Sequence, residues 1–354
     1  MLYQTENQHG GDVYGGGITL DFSANTNPLG TPPSVLEAVC RALPRLHRYP
    51  DPYCRRLVQA IAGHEQVPAS YILCGNGAAD LIYTYCAALR PRTAVELAPT
   101  FVEYGAGLAQ VGCRVERYFL HQAQNFDLDE RFLSFLEEKK PEVVFLCNPN
   151  NPTGRLIPLP LLEQILQYCA AQGARLFLDE CFLDLTEDGV SAKSLLAAHP
   201  ELLILKAFTK SYGMAGIRLG YCLCADNALL HRMAAASPPW NVSTPAQSAG
   251  VAALAERDFL QRTLSLVRTE RRWLTDNLTA LGFWVCPSHA NYLLFRGPLG
   301  LREGLLQQGI AIRGCGNYNG LGDGWYRIAV RPHGENEALI TATRQFCKEK
   351  ALWQ

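Results

Sequence analysis

A lysine in the segment AFTKSYGMAGIRLGY is placed to do covalent chemistry. Lys210 follows an apolar run that is typical of a buried strand, and Thr209 precedes it directly. Gly213 and Gly216 allow the chain to turn back sharply, so that Thr209 and Arg218 can meet at one anion. A lysine amine can form a Schiff base with a carbonyl compound, so the segment offers such an amine next to an anion site.

A carboxylate and a second anion site come earlier in the chain. Asp179 ends the strand-like run RLFLD, at the carboxyl end where open α/β sheets bind ligands. In CGNGAAD, a strand meets a helix through glycines, so the N–H groups of Gly77 and Ala78 can bind an anion. Asn151 in the turn NPNNPTG offers a hydrogen-bond donor, and Tyr104 in PTFVEYGAG offers a flat ring.

Together these residues match the requirements of pyridoxal phosphate. That cofactor needs a lysine, a carboxylate that keeps its pyridine nitrogen protonated, a phosphate cup, and a side chain over its ring. Each signal alone is weak, because a loop lysine is usually solvated and an Asp-Glu pair often caps a helix. Their order along one chain makes chance agreement very small. The sequence therefore predicts a pyridoxal-phosphate enzyme with Lys210 as the Schiff-base lysine and Asp179 at the pyridine nitrogen.

The elements that must position these residues alternate through the middle of the chain. Strand-like runs are followed by amphipathic helical patterns, which argues for a mostly parallel sheet with helices on both faces. The predicted segments are the strands Tyr71–Gly77, Thr93–Ala98, Glu142–Cys147, Ala174–Leu178, Leu202–Leu205 and Gly216–Cys224, with helices over Ala78–Leu89 and Pro158–Gln172. The last third predicts a smaller α+β lobe that begins with one or two helices over Phe259–Leu281.

Composition excludes several classes of protein. The chain has 354 residues, of which 48% are hydrophobic and 18% charged, with a net charge of −1. Lysine and arginine are scattered, no apolar run reaches the ~18 residues of a membrane helix, and the start has no secretory pattern. We therefore expect a cytoplasmic protein that binds neither nucleic acid nor membrane. The 13 cysteines form no CxxC pair, which predicts free buried thiols and no metal site.

The succession GNG, PTF..Y, NPNNPTG, DE and TK..R resembles the fold type I, aspartate-aminotransferase-like family over essentially the whole chain. DFSANTNPLG, RYPDPY and YRIAVR are similar to the branch that histidinol-phosphate aminotransferase and L-threonine-O-3-phosphate decarboxylase share. The resemblance implies an α/β fold with a seven-stranded-type, mostly parallel sheet and a smaller α+β domain. The implied division is an N-terminal arm and part of the small domain (1–45), a large cofactor domain (46–244) and a small domain (245–354).

The resemblance also implies roles for individual residues. Asn151 contacts the ring oxygen of the cofactor and Tyr104 stacks on its ring. The phosphate is held by Gly77, Ala78, Thr209 and Arg218, together with Tyr49 from the second subunit of a homodimer. Arg327 binds the substrate carboxylate. Asn27 either lines the substrate pocket or belongs to a turn.

Four features favour the decarboxylase over the aminotransferase. These are His9–Gly11, Phe182 where aminotransferases of the branch usually carry Tyr, PPWNVS at Pro238–Ser243, and IRGCGNYNGL at Ile312–Leu321. The first resembles an N-terminal arm that reaches the active site, although a flexible glycine tail fits as well. Arg313, Asn317, His9 and Arg331 are further candidates for holding the substrate, and Arg331 is equally readable as a surface charge. Sequence does not assign which cation meets the phosphate and which the carboxylate.

The favoured activity is decarboxylation of L-threonine O-3-phosphate to (R)-1-amino-2-propanol phosphate, which by resemblance serves cobalamin nucleotide-loop assembly. The alternative is histidinol-phosphate aminotransferase or a related aminotransferase. A protein that kept the fold as a regulator and lost catalysis is the alternative of another class. The full set of cofactor residues argues against it.

Overall fold

The computed structural model describes residues 9–350, and its largest element is a seven-stranded sheet. The strands are β2 (Ile72–Gly75), β3 (Thr93–Ala98), β4 (Arg114–Phe119), β5 (Val143–Cys147), β6 (Arg175–Asp179), β7 (Leu202–Ala207) and β8 (Gly220–Cys224). Across the sheet they run in the order β2-β8-β7-β6-β5-β3-β4. Only β8 runs against the others, so the remaining six strands end at the same edge.

Two hydrophobic layers bury the faces of this sheet. Along β5, Val144 and Leu146 face one layer, while Val143 and Phe145 face the other. This alternation follows from the two-residue period of a strand. Because helices cover both faces, a central strand such as β5 is a continuous apolar run rather than an alternating one.

Between residues 9 and 350, nine α-helices flank the sheet or lead to and from it. They are α1 (Pro33–Ala42), α2 (Arg55–Glu65), α3 (Ala78–Leu89), α4 (Glu103–Gln110), α5 (Arg131–Lys139), α6 (Leu159–Gln172), α7 (Phe208–Ser211), α8 (Asn227–Ala236) and α9 (Thr244–Leu254). Helices α2, α5 and α6 contribute to one apolar layer, and α3, α4 and α8 to the other. The short α7 directly follows β7 and carries Lys210.

A smaller antiparallel sheet forms the second lobe. Its order is β12 (Arg313–Gly314), β13 (Trp325–Ala329), β10 (Tyr292–Arg296) and β9 (Trp284–Val285). The helices of this lobe are α10 (Phe259–Ala280), α11 (Leu301–Gln307) and α12 (His333–Glu349). An N-terminal strand, β1 (Leu20–Asp21), pairs in parallel with β11 (Ile310–Ala311), and the adjoining Phe22 is completely buried in the core of this lobe.

The predicted α/β class, with a mostly parallel seven-stranded sheet and a smaller lobe, is confirmed. Phe259–Ala280 is one helix, and the predicted strand Gly216–Cys224 begins only at Gly220 because a 3-10 turn precedes it. The domain boundaries stay predictions. Of the predicted arm, residues 1–8 lie outside the described part of the chain, and residues 9–17 contain neither helix nor strand.

Two further features of the chain bear on its class. Between residues 9 and 350, no helix combines the length and the apolar character that crossing a bilayer requires. The thirteen cysteines are free thiols, and all except Cys40 and Cys113 are buried.

Candidate active site

The predicted site residues meet at the carboxyl edge of the large sheet. Asp179 is the last residue of β6, and Lys210 lies in α7 directly after β7. Asn151 lies in the turn that follows β5. Since these neighbouring strands are parallel, residues far apart in sequence reach one place.

Lys210 is a half-buried amine with an apolar neighbour. Its Nζ lies over the ring of Phe182, 5.4 Å from the centroid. Among residues 9–350, this Nζ has no hydrogen bond or ion pair. Burial, reinforced by the positive charges of Arg327 and Arg218, lowers the pKa of Lys210 to about 8. The neutral, nucleophilic form of the amine is therefore accessible close to neutral pH.

This lowered pKa predicts how attachment of a carbonyl ligand depends on pH. The rate at which the cofactor-free protein forms its visible Schiff-base band with pyridoxal phosphate will rise about tenfold per pH unit below pH 8. Above that pH it will level off, because the amine is already neutral. Stopped-flow absorbance from pH 6 to 10 measures the profile. A rate that continues to rise through pH 10 would show an ordinary, solvated lysine.

Asp179 is a buried carboxylate with both oxygens engaged. Its Oδ2 accepts a hydrogen bond from the Tyr104 hydroxyl at 2.6 Å, and its Oδ1 accepts one from the Cys181 N–H at 2.8 Å. Burial raises the pKa of Asp179. A protonated pyridine nitrogen beside it would counter that effect by favouring the carboxylate.

Tyr104 does not occupy the predicted position over the ring. Its side chain has no exposed surface and packs among Phe145 and Phe177 behind Asp179. A side chain that stacks on a ligand must leave one face accessible. Phe101, half-buried and in edge contact with Tyr104 at 5.6 Å, is the aromatic residue that can do so. Tyr104 instead orients Asp179 through its hydroxyl.

The residues of the predicted phosphate cup lie together at the start of α3. Gly77 precedes this helix with a φ of 86°, and a Cβ there would lie 2.6 Å from Nη2 of Arg218. A Cβ on Gly220 would lie 2.7 Å from the Ala78 nitrogen. Both glycines thus leave room for the guanidinium and the helix N–H groups to converge. Thr209 is buried in α7, which packs against the turn before Arg218.

Arg327 is a buried cation that faces no carboxylate among the described residues. Its Nη1 donates to Oδ1 of Asn151 at 2.5 Å, and its Nη2 donates to the carbonyl of Ser23 at 2.9 Å. Its Nε is buried without a hydrogen-bond partner. A buried charge that only neutral groups contact is costly unless an anion joins it, which marks this position as an anion site.

A cleft of about 1040 Å³ contains the other predicted substrate residues His9, Arg313 and Asn317. Nη2 of Arg313 donates to Oδ1 of Asn317 at 2.7 Å. The Arg313 guanidinium also lies over the ring of Tyr318, whose hydroxyl is 3.4 Å from Nη1 of Arg327. Tyr318 thus connects the two arginines.

Two predicted substrate residues are not brought to this place. Asn27 is buried with its amide in use, because Nδ2 donates to the Ser211 carbonyl and Thr263 hydroxyl while Oδ1 accepts from the Leu29 N–H. It is a turn residue that anchors the end of α7. Arg331 pairs with Glu335 at 2.9 Å, within the start of α12. The structure therefore favours the alternative interpretations, in which Asn27 is a turn residue and Arg331 is a charge outside the substrate site.

Tyr49 lies at the surface. It is 78% exposed and stacks on Trp240 at 4.5 Å. The next residue, Asn241, donates to Asp80 in the first turn of α3. Tyr49 thus sits outside its own chain's cup, with its ring available to another molecule.

Sequence reasoning missed several residues of this site. Ser23, Phe101, Glu103 and Tyr318 all contact predicted site residues. Ser23 and Phe101 stand inside segments that the sequence marks, DFSANTNPLG and PTFVEYGAG. Glu103 and Tyr318 also stand inside marked segments, PTFVEYGAG and IRGCGNYNGL, but only the fold shows what their side chains touch.

These residues fit pyridoxal phosphate. Lys210 supplies an amine, Asp179 a carboxylate, and the helix start with Arg218 a cup that an added Cβ would fill. The chain belongs to the aminotransferase class I and II family, whose profile matches residues 18–344. It is an enzyme of fold type I with pyridoxal phosphate as its cofactor, and the predicted family and cofactor are confirmed.

Particular relatives narrow the class. The threonine-phosphate decarboxylase of Salmonella typhimurium is 41% identical over 331 residues, which cover 92% of this chain and 90% of the relative. The L-threonine-O-3-phosphate decarboxylase structure from Porphyromonas gingivalis is 25% identical with a TM-score of 0.82, covering 93% of this chain and 99% of its own. The histidinol-phosphate aminotransferase structure from Clostridium acetobutylicum is 28% identical with a TM-score of 0.87, with the same coverage of 93% and 99%.

Proposed function

We propose that this enzyme decarboxylates L-threonine O-3-phosphate to (R)-1-amino-2-propanol phosphate. The observation that carries the proposal is the 41% identity to a threonine-phosphate decarboxylase across nine-tenths of both chains. The position of Phe182 under Lys210 supports it, because a phenyl ring cannot give the cofactor oxygen the hydrogen bond that a tyrosine would. Phe182 is itself held edge-on by Tyr292 at 4.9 Å.

In this proposal, the two arginines take the two anionic ends of the substrate. Arg327 binds the carboxylate, since it is buried beside the Asn151 turn and its acceptors in the described part of the chain are neutral. Arg313, with Asn317 and His9 in the adjoining cleft, takes the phosphate. Holding both ends fixes the rotation about the Cα bonds, and so decides which of those bonds breaks.

Bound pyridoxal phosphate supplies an electron sink for the bond that breaks. The Cα–carboxylate bond cleaves, CO2 leaves, and a proton must be added at Cα. Lys210 is the proposed donor, because its pKa of about 8 allows it both to hold and to release a proton near neutrality. Asp179, oriented by Tyr104 and Cys181, keeps the pyridine nitrogen protonated.

The activity is tested directly on the purified, cofactor-loaded enzyme. L-threonine O-phosphate is supplied without any keto acid, and CO2 and aminopropanol phosphate are measured. Steady release of both supports the decarboxylase. Amino transfer from histidinol phosphate that requires 2-oxoglutarate, with no CO2, would assign the chain to the aminotransferases, for which the TM-score of 0.87 is the specific argument. If the enzyme catalyses neither reaction, a regulatory role is the remaining alternative.

We further propose that the enzyme is a cytoplasmic homodimer, and that its product enters cobalamin nucleotide-loop assembly. Exposed apolar side chains support the dimer, because Trp240 stacks on Tyr49 and several others lie close to Tyr49 in the sequence. They are Leu36, Leu43, Leu46, Tyr49, Tyr53 and Trp240. Large apolar side chains left exposed in this number are typical of an interaction site.

Tyr49→Phe tests the contact across the dimer. If the hydroxyl reaches the partner's phosphate cup, its loss will weaken cofactor affinity about fivefold, as expected for one ordinary hydrogen bond, and leave the dimer intact. Equilibrium dialysis against pyridoxal phosphate and light scattering measure the two quantities. Tyr53→Phe, equally exposed, is the matched control. A monomer that retains cofactor normally would contradict both parts of the proposal.

A further inference from the structure

The segment His9–Gly11, here called the strap, is docked on the end of β1. Gly10 lies so close to Ser23 that a Cβ would be 2.2 Å from the Ser23 carbonyl oxygen. The Gly11 N–H donates to Oγ of Ser23 at 2.8 Å. The Ser23 hydroxyl in turn donates to Oδ1 of Asp21 at 2.6 Å. This bond orients the hydroxyl so that a lone pair of Ser23 Oγ points toward the strap. A glycine at position 10 is thus a packing requirement rather than a sign of flexibility.

A second anchor holds the other end of the strap. Nε2 of His9 lies 2.7 Å from Oε1 of Glu103, and the His9 ring is 6.0 Å from that of Phe101. The second carboxylate oxygen of Glu103 accepts from the Tyr83 hydroxyl at 2.6 Å. The His9 contact holds the pKa of Glu103 below its usual value, so the group is an anion facing the imidazole. The strap is therefore tied to the small lobe at Ser23 and to the large lobe at Glu103.

The strap and its Ser23 anchor also contact, or line the same cleft as, the predicted substrate residues. Ser23, which receives the strap, also gives its carbonyl to Nη2 of Arg327. His9, Gly10 and Gly11 line the same cleft as Arg313 and Asn317. A displaced strap would open this cleft to water. It would also remove the contact of Gly11 with Ser23, the residue whose carbonyl accepts a hydrogen bond from Arg327.

We propose that Glu103 and Ser23 are positioning residues that hold the strap closed over the cleft, and that this closure sets the affinity for the phosphorylated substrate. The inference rests on the proposed function, because it takes the cleft as the place of the substrate phosphate. The strap acts mainly on binding, because Lys210 and Asp179 lie on other elements, and because Arg313 and Asn317 still hold the substrate phosphate when the strap is displaced. Loss of closure therefore raises KM and leaves kcat nearly unchanged.

Two variants of the holoenzyme test this. Gly10→Ala introduces a Cβ that the Ser23 backbone cannot accommodate, and its matched control is Gly63→Ala in α2, an exposed position outside the cleft where nothing lies within 4 Å. Glu103→Gln keeps the shape of the anchor and removes its charge, and the exposed Glu163→Gln is its control. We expect KM for L-threonine O-phosphate to rise about tenfold or more in the two test variants, with kcat changed less than about threefold. Both controls should match the wild type.

Hydrogen exchange of a peptide spanning residues 9–14 measures docking without any substrate. It should be slow in the wild type and both controls, and faster in Gly10→Ala and Glu103→Gln, while the visible cofactor band stays unchanged. Unchanged exchange in the two test variants, or faster exchange with an unchanged KM, would overturn the proposal. If the wild type releases no CO2, the proposed function fails by itself. The KM comparison is then made with histidinol phosphate and 2-oxoglutarate, and turnover of neither substrate overturns the strap's role as well.

Discussion

Lys210→Ala will abolish the visible absorption band of the purified enzyme and reduce turnover of L-threonine O-phosphate at least ~10³-fold. The substitution removes the amine that attaches the cofactor and, in the proposed mechanism, the proton donor at Cα. Nothing else among residues 9–350 replaces it, because Nζ of Lys206 is committed to Asp184 at 2.8 Å and to Glu65 at 3.4 Å. Absorbance of the purified protein and CO2 release measure the two effects.

The exposed Lys348→Ala is the control for this variant. It should keep both the band and the activity. A band that persists in Lys210→Ala and can be reduced by borohydride would show that another lysine carries the cofactor. Since Lys210 makes no hydrogen bond among the described residues, its loss should leave the fold intact, which circular dichroism can check.

Arg327→Gln will lower kcat/KM for L-threonine O-phosphate by about 10²- to 10³-fold, as expected when one partner of a buried charge pair is removed. The stability of the folded Arg327→Gln variant should not fall with its activity. The free protein buries this guanidinium with its Nε–H unpaired and with no carboxylate from residues 9–350 beside it, so a neutral amide costs less to bury. We expect an unchanged or higher melting temperature, which is the mark of a residue kept for binding rather than for folding.

Arg331→Gln is the matched control for this prediction. Arg331 stands close to Arg327 in sequence, but its partner is Glu335 in a half-exposed pair. Such pairs contribute little to stability, so activity and melting temperature should both change only slightly. Equal losses of activity in the two variants would contradict the assignment of Arg327 as the carboxylate site.

The positions of the cofactor residues could be predicted because they depend on strand ends. Asp179 and Lys210 follow apolar runs that are recognisable by composition alone, and parallel strands bring such ends together. In the large sheet, sequence analysis does not identify the strand Arg114–Phe119. It is an edge strand with three charged residues among its six, all at most half-buried, so it lacks the continuous apolar run of its neighbours.

The direction of a side chain is what the sequence could not give. Tyr104 is aromatic and in the expected segment, yet it points into the core and donates to Asp179. Asn27 lies in a marked segment, but its amide is used within the fold. In both cases the residue type was compatible with two environments, and packing decided between them.

The pairing of β1 with β11 has a consequence for folding during synthesis on the ribosome. Thr19 and Gly309, which flank this pair and hydrogen-bond each other, are 290 positions apart in the chain. At a synthesis rate of ~5–20 residues per second, the residues that bury Phe22 and its neighbours are made roughly 15–60 s after them. All strands of the large sheet are complete by Cys224, so that sheet can form during this delay. Segments that wait exposed are where chaperones act, and we expect ribosome-bound chains that end before residue 300 to leave the N-terminal segment sensitive to protease.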